Sequence, residues 1–177
     1  FFNVVLSYGM ETAFFRFYNT EENKKKVIST STISLFWSTI GFLILFLLFR
    51  KDLALWSKIN VEYIVFTIWI LALDALAIIP FSKIRAEGRP IKYAVIKISN
   101  VVINLSLNIF FLAFLPNWAT NTDNVFIQTI YHEDFQIGYI FVSNLIASLF
   151  TLLFVLPDYF KIKWQFDTDL WKKMMQY

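Results

Sequence analysis

Three asparagines and a lysine recur at helical spacing inside an otherwise apolar stretch, KISNVVINLSLN. These residues are Lys97, Asn100, Asn104 and Asn108. At about 100° per residue, the four side chains fall within an arc of roughly 80° and form one polar edge of a helix. One interpretation is interhelical hydrogen bonding, but such bonds average only about 0.6 kcal/mol in membranes. We therefore favour a hydrated groove, in which the amides contact hydroxyl groups or water.

A second polar edge is predicted near the end of the chain. Asn144, Ser148 and Thr151 fall within an arc of about 60° on one helix. This repeats the pattern of the first edge. Asn144 is therefore a further candidate for the wall of the same groove.

An acidic residue, Asp74, lies near the middle of the apolar stretch LALDALAII. An ionisable side chain at mid-bilayer costs about 2.5 to 3.5 kcal/mol on insertion scales. It needs a partner, a water-filled cavity or a proton. Asp74 is either part of a packing contact between helices or a residue that faces a polar pathway.

Glu11 and Arg16 are charged residues of a third, more amphipathic helix. Five residues of separation place them roughly 140° apart, so they do not pair with one another. Arg16 either extends to the lipid headgroups or contacts a phosphate, for which its guanidinium group is well shaped.

Motifs for enzymatic chemistry are absent from the sequence. There are no cysteines and one histidine, His132, so the sequence has neither thiolate chemistry nor a set of two histidines for a metal. It contains no phosphate-binding loop and no G-x-S-x-G. The basic residues flank apolar stretches, which explains them without nucleic acid. We expect a protein that is not an enzyme, with no nucleic acid partner and no cofactor other than a coupling cation.

Composition predicts an all-α, polytopic membrane helix bundle. Of 177 residues, 58% are hydrophobic and 16% charged, and the mean hydropathy is +0.57, whereas about a quarter of residues in soluble domains are charged. A transmembrane bundle is expected over residues 1–157 and an amphipathic interfacial segment over 158–177. The predicted spans are residues 1–18, 27–49, 61–82, 94–115 and 137–156, the last two ending before Pro116 and Pro157.

The distribution of lysines and arginines predicts which side of the membrane each connection faces. They concentrate in residues 24–26, 83–97 and 161–173, whereas residues 116–136 have none. Because basic connections favour the cytoplasm, we expect an external N-terminus and a cytoplasmic C-terminal segment. Phe1 is not an initiator, and a fresh amphipathic segment runs to Tyr177. We expect both ends to be cuts within a longer chain.

Two segments, YGMETAFFRFY and IPFSKIRAEGRPIKYA, resemble polysaccharide flippases of the O-antigen type, in the multidrug/oligosaccharidyl-lipid/polysaccharide exporter superfamily. The resemblance implies a partial N-terminal lobe of a two-lobe exporter, with these spans as the second to sixth helices and the second lobe missing. It implies alternating access in the bacterial cytoplasmic membrane, with membrane lipid around the protein and an isoprenoid-diphosphate-linked oligosaccharide as substrate.

The resemblance also implies roles for the candidate residues. Arg16 and Lys97 would meet the phosphates, and the asparagines of both polar edges would meet sugar hydroxyls or water. Glu11 and Asp74 would balance the basic groups or bind a coupling cation. The alternatives are a cation-coupled multidrug exporter of the same superfamily, an integral-membrane glycan polymerase or ligase, and a scaffold without transport.

Overall fold

The structure, a computed structural model, describes residues 6–121, 131–132, 135–160 and 162–176, and within these ranges it contains helices and no strands. The helices are α1 (Met10–Thr20), α2 (Lys24–Leu48), α3 (Arg50–Ser57), α4 (Val61–Ala86), α5 (Pro90–Ile109), α6 (Leu115–Asn121), α7 (Gln136–Phe160) and α8 (Thr168–Met175). A π-helical turn, Phe110–Phe114, joins α5 to α6. Helices α2, α4, the continuous Pro90–Ala119 and α7 are long and apolar enough to cross a membrane. The predicted all-α polytopic membrane bundle is confirmed.

Helix α1 covers only part of the helix predicted over residues 1–18. It begins at Met10, after Tyr8 and Gly9 adopt φ values of 37° and 77°. A left-handed backbone favours glycine and interrupts a right-handed helix. Its 11 residues are fewer than the roughly 20 that a span needs, and residues 1–5 lie outside the described part of the chain.

The prolines do not end helices where the sequence predicted. The fourth predicted span continues through Pro116 to Asn121, and the fifth continues through Pro157 to Phe160. Both predicted ends are therefore wrong. Membrane helices tolerate proline because local π-helical adjustment and neighbouring groups satisfy the freed backbone atoms.

Pro80 lies inside α4 and shows this compensation directly. A proline has no N–H, so the carbonyl four residues earlier, that of Leu76, loses its helical donor. The hydroxyl of Tyr159, on α7, donates a hydrogen bond to the Leu76 carbonyl oxygen. A side chain of α7 thus supplies the hydrogen bond that the backbone of α4 lacks at Leu76.

Three basic segments meet at one end of the bundle, which we call the basic end. Lys26 Nζ lies 3.2 Å from Asp167 Oδ2, and Lys83 Nζ lies 3.7 Å from Asp158 Oδ1. Ser29 Oγ donates to the backbone oxygen of Lys163 at 2.6 Å. Lys25, Lys83 and Lys163 line one pocket, so the start of α2, the end of α4 and the linker before α8 are adjacent.

Helix α8 packs on this end. The Asp167 side chain accepts hydrogen bonds from the N–H groups of Asp169 and Leu170, at 3.1 and 3.0 Å, and so caps the helix. Leu170 and Met174 are buried in a core shared with α1, α2 and α4. The amphipathic segment therefore turns its apolar face toward the bundle.

Helix α7 packs against both α4 and α5 and positions the polar residues. Small side chains on α7, including Ser143, Ala147 and Ser148, are buried and allow close approach. On α5, the face away from α7 carries exposed apolar residues alternately four and three residues apart. They are Ile91, Val95, Ile98, Val102, Leu105 and Ile109.

Candidate functional site

A polar cavity of about 340 Å³ lies among α1, α4, α5 and α7. Its walls combine charged and amide side chains with apolar ones. The lining residues are Glu11, Ile70, Asp74, Ala77, Ile78, Phe81, Arg85, Tyr93, Lys97, Asn100, Asn144, Ser148 and Thr151. The cavity therefore holds polar groups from four helices within a bundle of apolar spans.

The amide edge of α5 faces α7. Asn100 Nδ2 donates to Thr151 Oγ1 at 2.9 Å, and Asn104 Nδ2 donates to Asn144 Oδ1. Asn108 Nδ2 donates to Asn104 Oδ1 at 2.7 Å, one turn further along. The two predicted polar edges are thus joined. Interhelical hydrogen bonding, the interpretation that the sequence disfavoured, accounts for Asn100, Asn104 and Asn144, of which Asn100 and Asn144 also line the cavity. Asn108 bonds within its own helix.

Asp74 is held by a hydroxyl group. Ser148 Oγ donates to Asp74 Oδ1 at 2.8 Å. Within the described ranges, no lysine or arginine nitrogen lies within 4.0 Å of this carboxylate. Its second oxygen can therefore accept a hydrogen bond or contact a cation in the cavity.

Glu11 pairs with Arg85 across the α1–α4 contact. Ser82 Oγ donates to Glu11 Oε1 at 3.4 Å. The Arg85 guanidinium carbon lies 4.9 Å from the ring centre of Phe15 and 5.5 Å from that of Tyr93. Aromatic faces attract cations, so Arg85 is held from three directions and its charge is matched by Glu11.

Lys97 is the cavity cation without a carboxylate partner in the described part of the chain. Its Nζ lies 4.7 Å from the ring centre of Phe81, and the residue is exposed. No carboxylate oxygen that the structure describes lies within 4.0 Å of it. An ammonium group in this position can bind an anion.

The structure brings together most of the residues predicted from the sequence. Five of them line the cavity: Glu11, Asp74, Lys97, Asn100 and Asn144. Asn104 and Asn108 extend the network beyond its wall. Arg16 is exposed and is not a lining residue.

Arg85 is a charged lining residue that the sequence-based candidates do not include. The sequence places Arg85 in a basic turn, but α4 continues to Ala86. Eleven residues after Asp74, it returns to within about 20° of the same helical face. That spacing was the available signal.

Asp158 is a second charged residue that the candidates do not include, because it follows Pro157 and lies beyond the predicted end of the span. Its side chain is 3% exposed at the basic end. It forms an ion pair with Lys92 and lies 3.7 Å from Lys83 Nζ and 4.0 Å from Arg89 Nη2. These contacts join α7 to α4 and α5.

His132 lies away from the cavity. Its backbone N–H donates to the Tyr139 hydroxyl at 2.8 Å, and its neighbours Glu133 and Asp134 fall outside the described ranges. Among the residues that the structure describes, no three histidine, aspartate or glutamate side chains are grouped so as to hold a metal ion. Comparisons with protein-family models, with curated proteins and with solved structures find no match to this chain.

Proposed function

We propose that this chain forms part of a membrane transporter that moves an isoprenoid-diphosphate-linked oligosaccharide across the bacterial cytoplasmic membrane. The observation that carries the proposal is the cavity itself, in which Lys97, Asn100 and Asn144 share one space between apolar helices. Polar groups inside a membrane bundle are costly and generally serve a pathway.

The chemistry of such a substrate matches the cavity wall. Amides both donate to and accept from hydroxyl groups, which suits Asn100, and an ammonium group suits a phosphate, which gives Lys97 a role. The volume of about 340 Å³ lies near the lower end of the range for ligand pockets. In the proposal, a second lobe faces this wall and completes the site, and the two lobes open alternately to either side.

The test is export of surface glycan by a host strain that lacks its own exporter and carries this protein. We expect Lys97→Gln to lower surface glycan roughly tenfold or more, because a hydrogen bond to a charged group contributes about 1.5 to 3 kcal/mol. Asn100→Leu should lower it by a smaller factor, because a neutral hydrogen bond contributes about 0.5 to 1.5 kcal/mol. Lipid-linked precursor should accumulate on the cytoplasmic face.

The matched controls change an asparagine and a lysine that lie outside the cavity. Asn117→Leu removes an exposed amide that is not among the cavity-lining residues, and Lys58→Gln removes an exposed charge from the α3–α4 turn. Both should export normally at equal membrane abundance. Normal export by the Lys97 and Asn100 variants would contradict the proposal.

A cation-coupled exporter of small molecules is the second candidate. It is favoured by Asp74, which has a hydroxyl contact and no cation within 4.0 Å among the described side chains. Asp74→Asn should then raise drug susceptibility, and transport should depend on a proton or sodium gradient. Unchanged susceptibility with lost glycan export would favour the first proposal.

A further inference from the structure

A small pocket of about 170 Å³ lies at the basic end, away from the polar cavity. It forms where the start of α2, the end of α4 and the linker before α8 meet. Its walls are Lys25, Ile28, Lys83, Glu87, Ile162 and Lys163. Three lysines from three segments thus surround one space with an apolar side.

Positive charge exceeds negative charge around this pocket. Glu87 pairs with Arg89 and lies 3.9 Å from Lys83 Nζ. Lys25 and Lys163 are exposed and, within the described ranges, have no carboxylate oxygen within 4.0 Å. Their ammonium groups are therefore available to an external anion.

Exposed aromatic side chains indicate the depth of the pocket in the membrane. Phe160, Trp164 and Phe166 are 80%, 56% and 46% exposed in the segment that supplies Lys163. Tryptophan and other aromatic residues collect at the membrane–water interface. This exposure favours a position near the level of lipid phosphates, where Ile28 and Ile162 could contact the apolar part of a lipid.

We propose that the pocket formed by Lys25, Lys83 and Lys163 binds the phosphate headgroup of an anionic phospholipid from the surrounding leaflet. Basic pockets between membrane helices are suited to such headgroups. Lys25 and Lys163 contact the phosphate from the exposed side. Lys83, with a side chain 11% exposed, lines the same pocket and is paired with Asp158 and Glu87. This site is separate from the polar cavity, and the proposal does not depend on which molecule that cavity binds.

The test titrates the purified protein in neutral detergent with phosphatidylglycerol and with phosphatidylcholine, and counts bound lipid by native mass spectrometry. The unaltered protein should retain phosphatidylglycerol preferentially. The double variant Lys25→Gln/Lys163→Gln should bind it roughly tenfold or more weakly, because each lysine near a lipid surface contributes about 1 kcal/mol. Lys25→Arg/Lys163→Arg keeps the charges and should bind phosphatidylglycerol at least about as tightly as the unaltered protein.

The matched control is Lys172→Gln/Lys173→Gln, which removes the same charge from exposed positions on α8. It should leave phosphatidylglycerol binding unchanged. An equal loss in both glutamine variants would indicate diffuse attraction and overturn the proposal. Equal affinity for phosphatidylcholine, or displacement of the lipid by free glycerol phosphate, would also overturn it.

Discussion

The contact between Tyr159 and Leu76 links the backbone of α4 to a side chain of α7. Pro80 leaves the Leu76 carbonyl without its helical donor, and the Tyr159 hydroxyl supplies one. An unsatisfied carbonyl away from water costs about 1 to 3 kcal/mol. The pair therefore explains how α4 carries a proline without ending there.

We predict that Tyr159→Phe lowers the free energy of unfolding by about 1 to 3 kcal/mol, because the Leu76 carbonyl loses its donor. Thermal or denaturant unfolding in detergent would measure the change. Tyr63→Phe is the matched control, since no hydrogen bond of the Tyr63 hydroxyl occurs among the described residues.

A double-mutant cycle isolates this contact from general packing. In a Pro80→Ala background the alanine N–H can bond to the Leu76 carbonyl, so Tyr159→Phe should then cost much less. An undiminished cost in that background would show that the hydroxyl acts elsewhere.

Asp158→Asn should cost about 1.5 to 3 kcal/mol of unfolding free energy, because the buried Lys83 loses a charged partner while the partly exposed Arg89 and Lys92 stay in contact with solvent. The carboxylate is 3% exposed and contacts Lys83, Arg89 and Lys92. Lys26→Gln removes an exposed ion pair and should cost no more than about 1 kcal/mol. Similar losses in the two variants would contradict this assignment.

At the scale of elements, the apolar spans were predictable because about 20 apolar residues are required to cross a bilayer. The predicted start at residue 61 matches α4, and that at 137 is one residue from α7. The helix ends were less predictable, since whether Pro116 or Pro157 stops a helix depends on neighbouring groups. Partners across helices, such as Arg85 for Glu11, depend on tertiary contacts that a single sequence does not contain.

The attachment of α8 should depend on pH. Hydrogen bonds from the Leu170 backbone N–H and the Lys26 side chain hold the pKa of Asp167 below its ordinary value. A lowered pKa contributes stability above the ordinary carboxyl pKa of about 4, and this contribution is lost as pH falls through the folded-state pKa.

The pH dependence can be followed through Trp171, whose indole N–H donates to Ser34 Oγ at 2.8 Å. Its fluorescence should change as pH falls below about 4, where protonation of Asp167 weakens the contacts at the start of α8. Asp167→Asn keeps an N-cap acceptor without titrating, so its response should be flatter. Identical titrations of the two proteins would assign the effect to another group.

At the scale of the whole molecule, orientation follows from the placement of charge. The first basic segment, the α4–α5 turn and the linker before α8 share one end of the bundle. Because positive residues remain on the cytoplasmic side during insertion, we expect that end to face the cytoplasm. The α3–α4 turn then faces outward.

Since the sequence has no cysteine, single substitutions can test this orientation. A membrane-impermeant maleimide applied to intact cells should label Lys58→Cys and leave Lys172→Cys unlabelled, while opened cells should show labelling of both. The reverse pattern would place the basic end outside.

The exposed apolar row on α5 and its amide edge lie on different sides of one helix, separated by roughly 135°. Rotation of α5 about its long axis would place the amide edge in hydrocarbon. It would also bring the exposed apolar row against the polar edge of α7. Because exposing amides to hydrocarbon costs free energy, we expect α5 to move by tilting or by translation along its axis. If the bundle alternates between two conformations, α5 should therefore move as a rigid body, with the same face toward α7 in both.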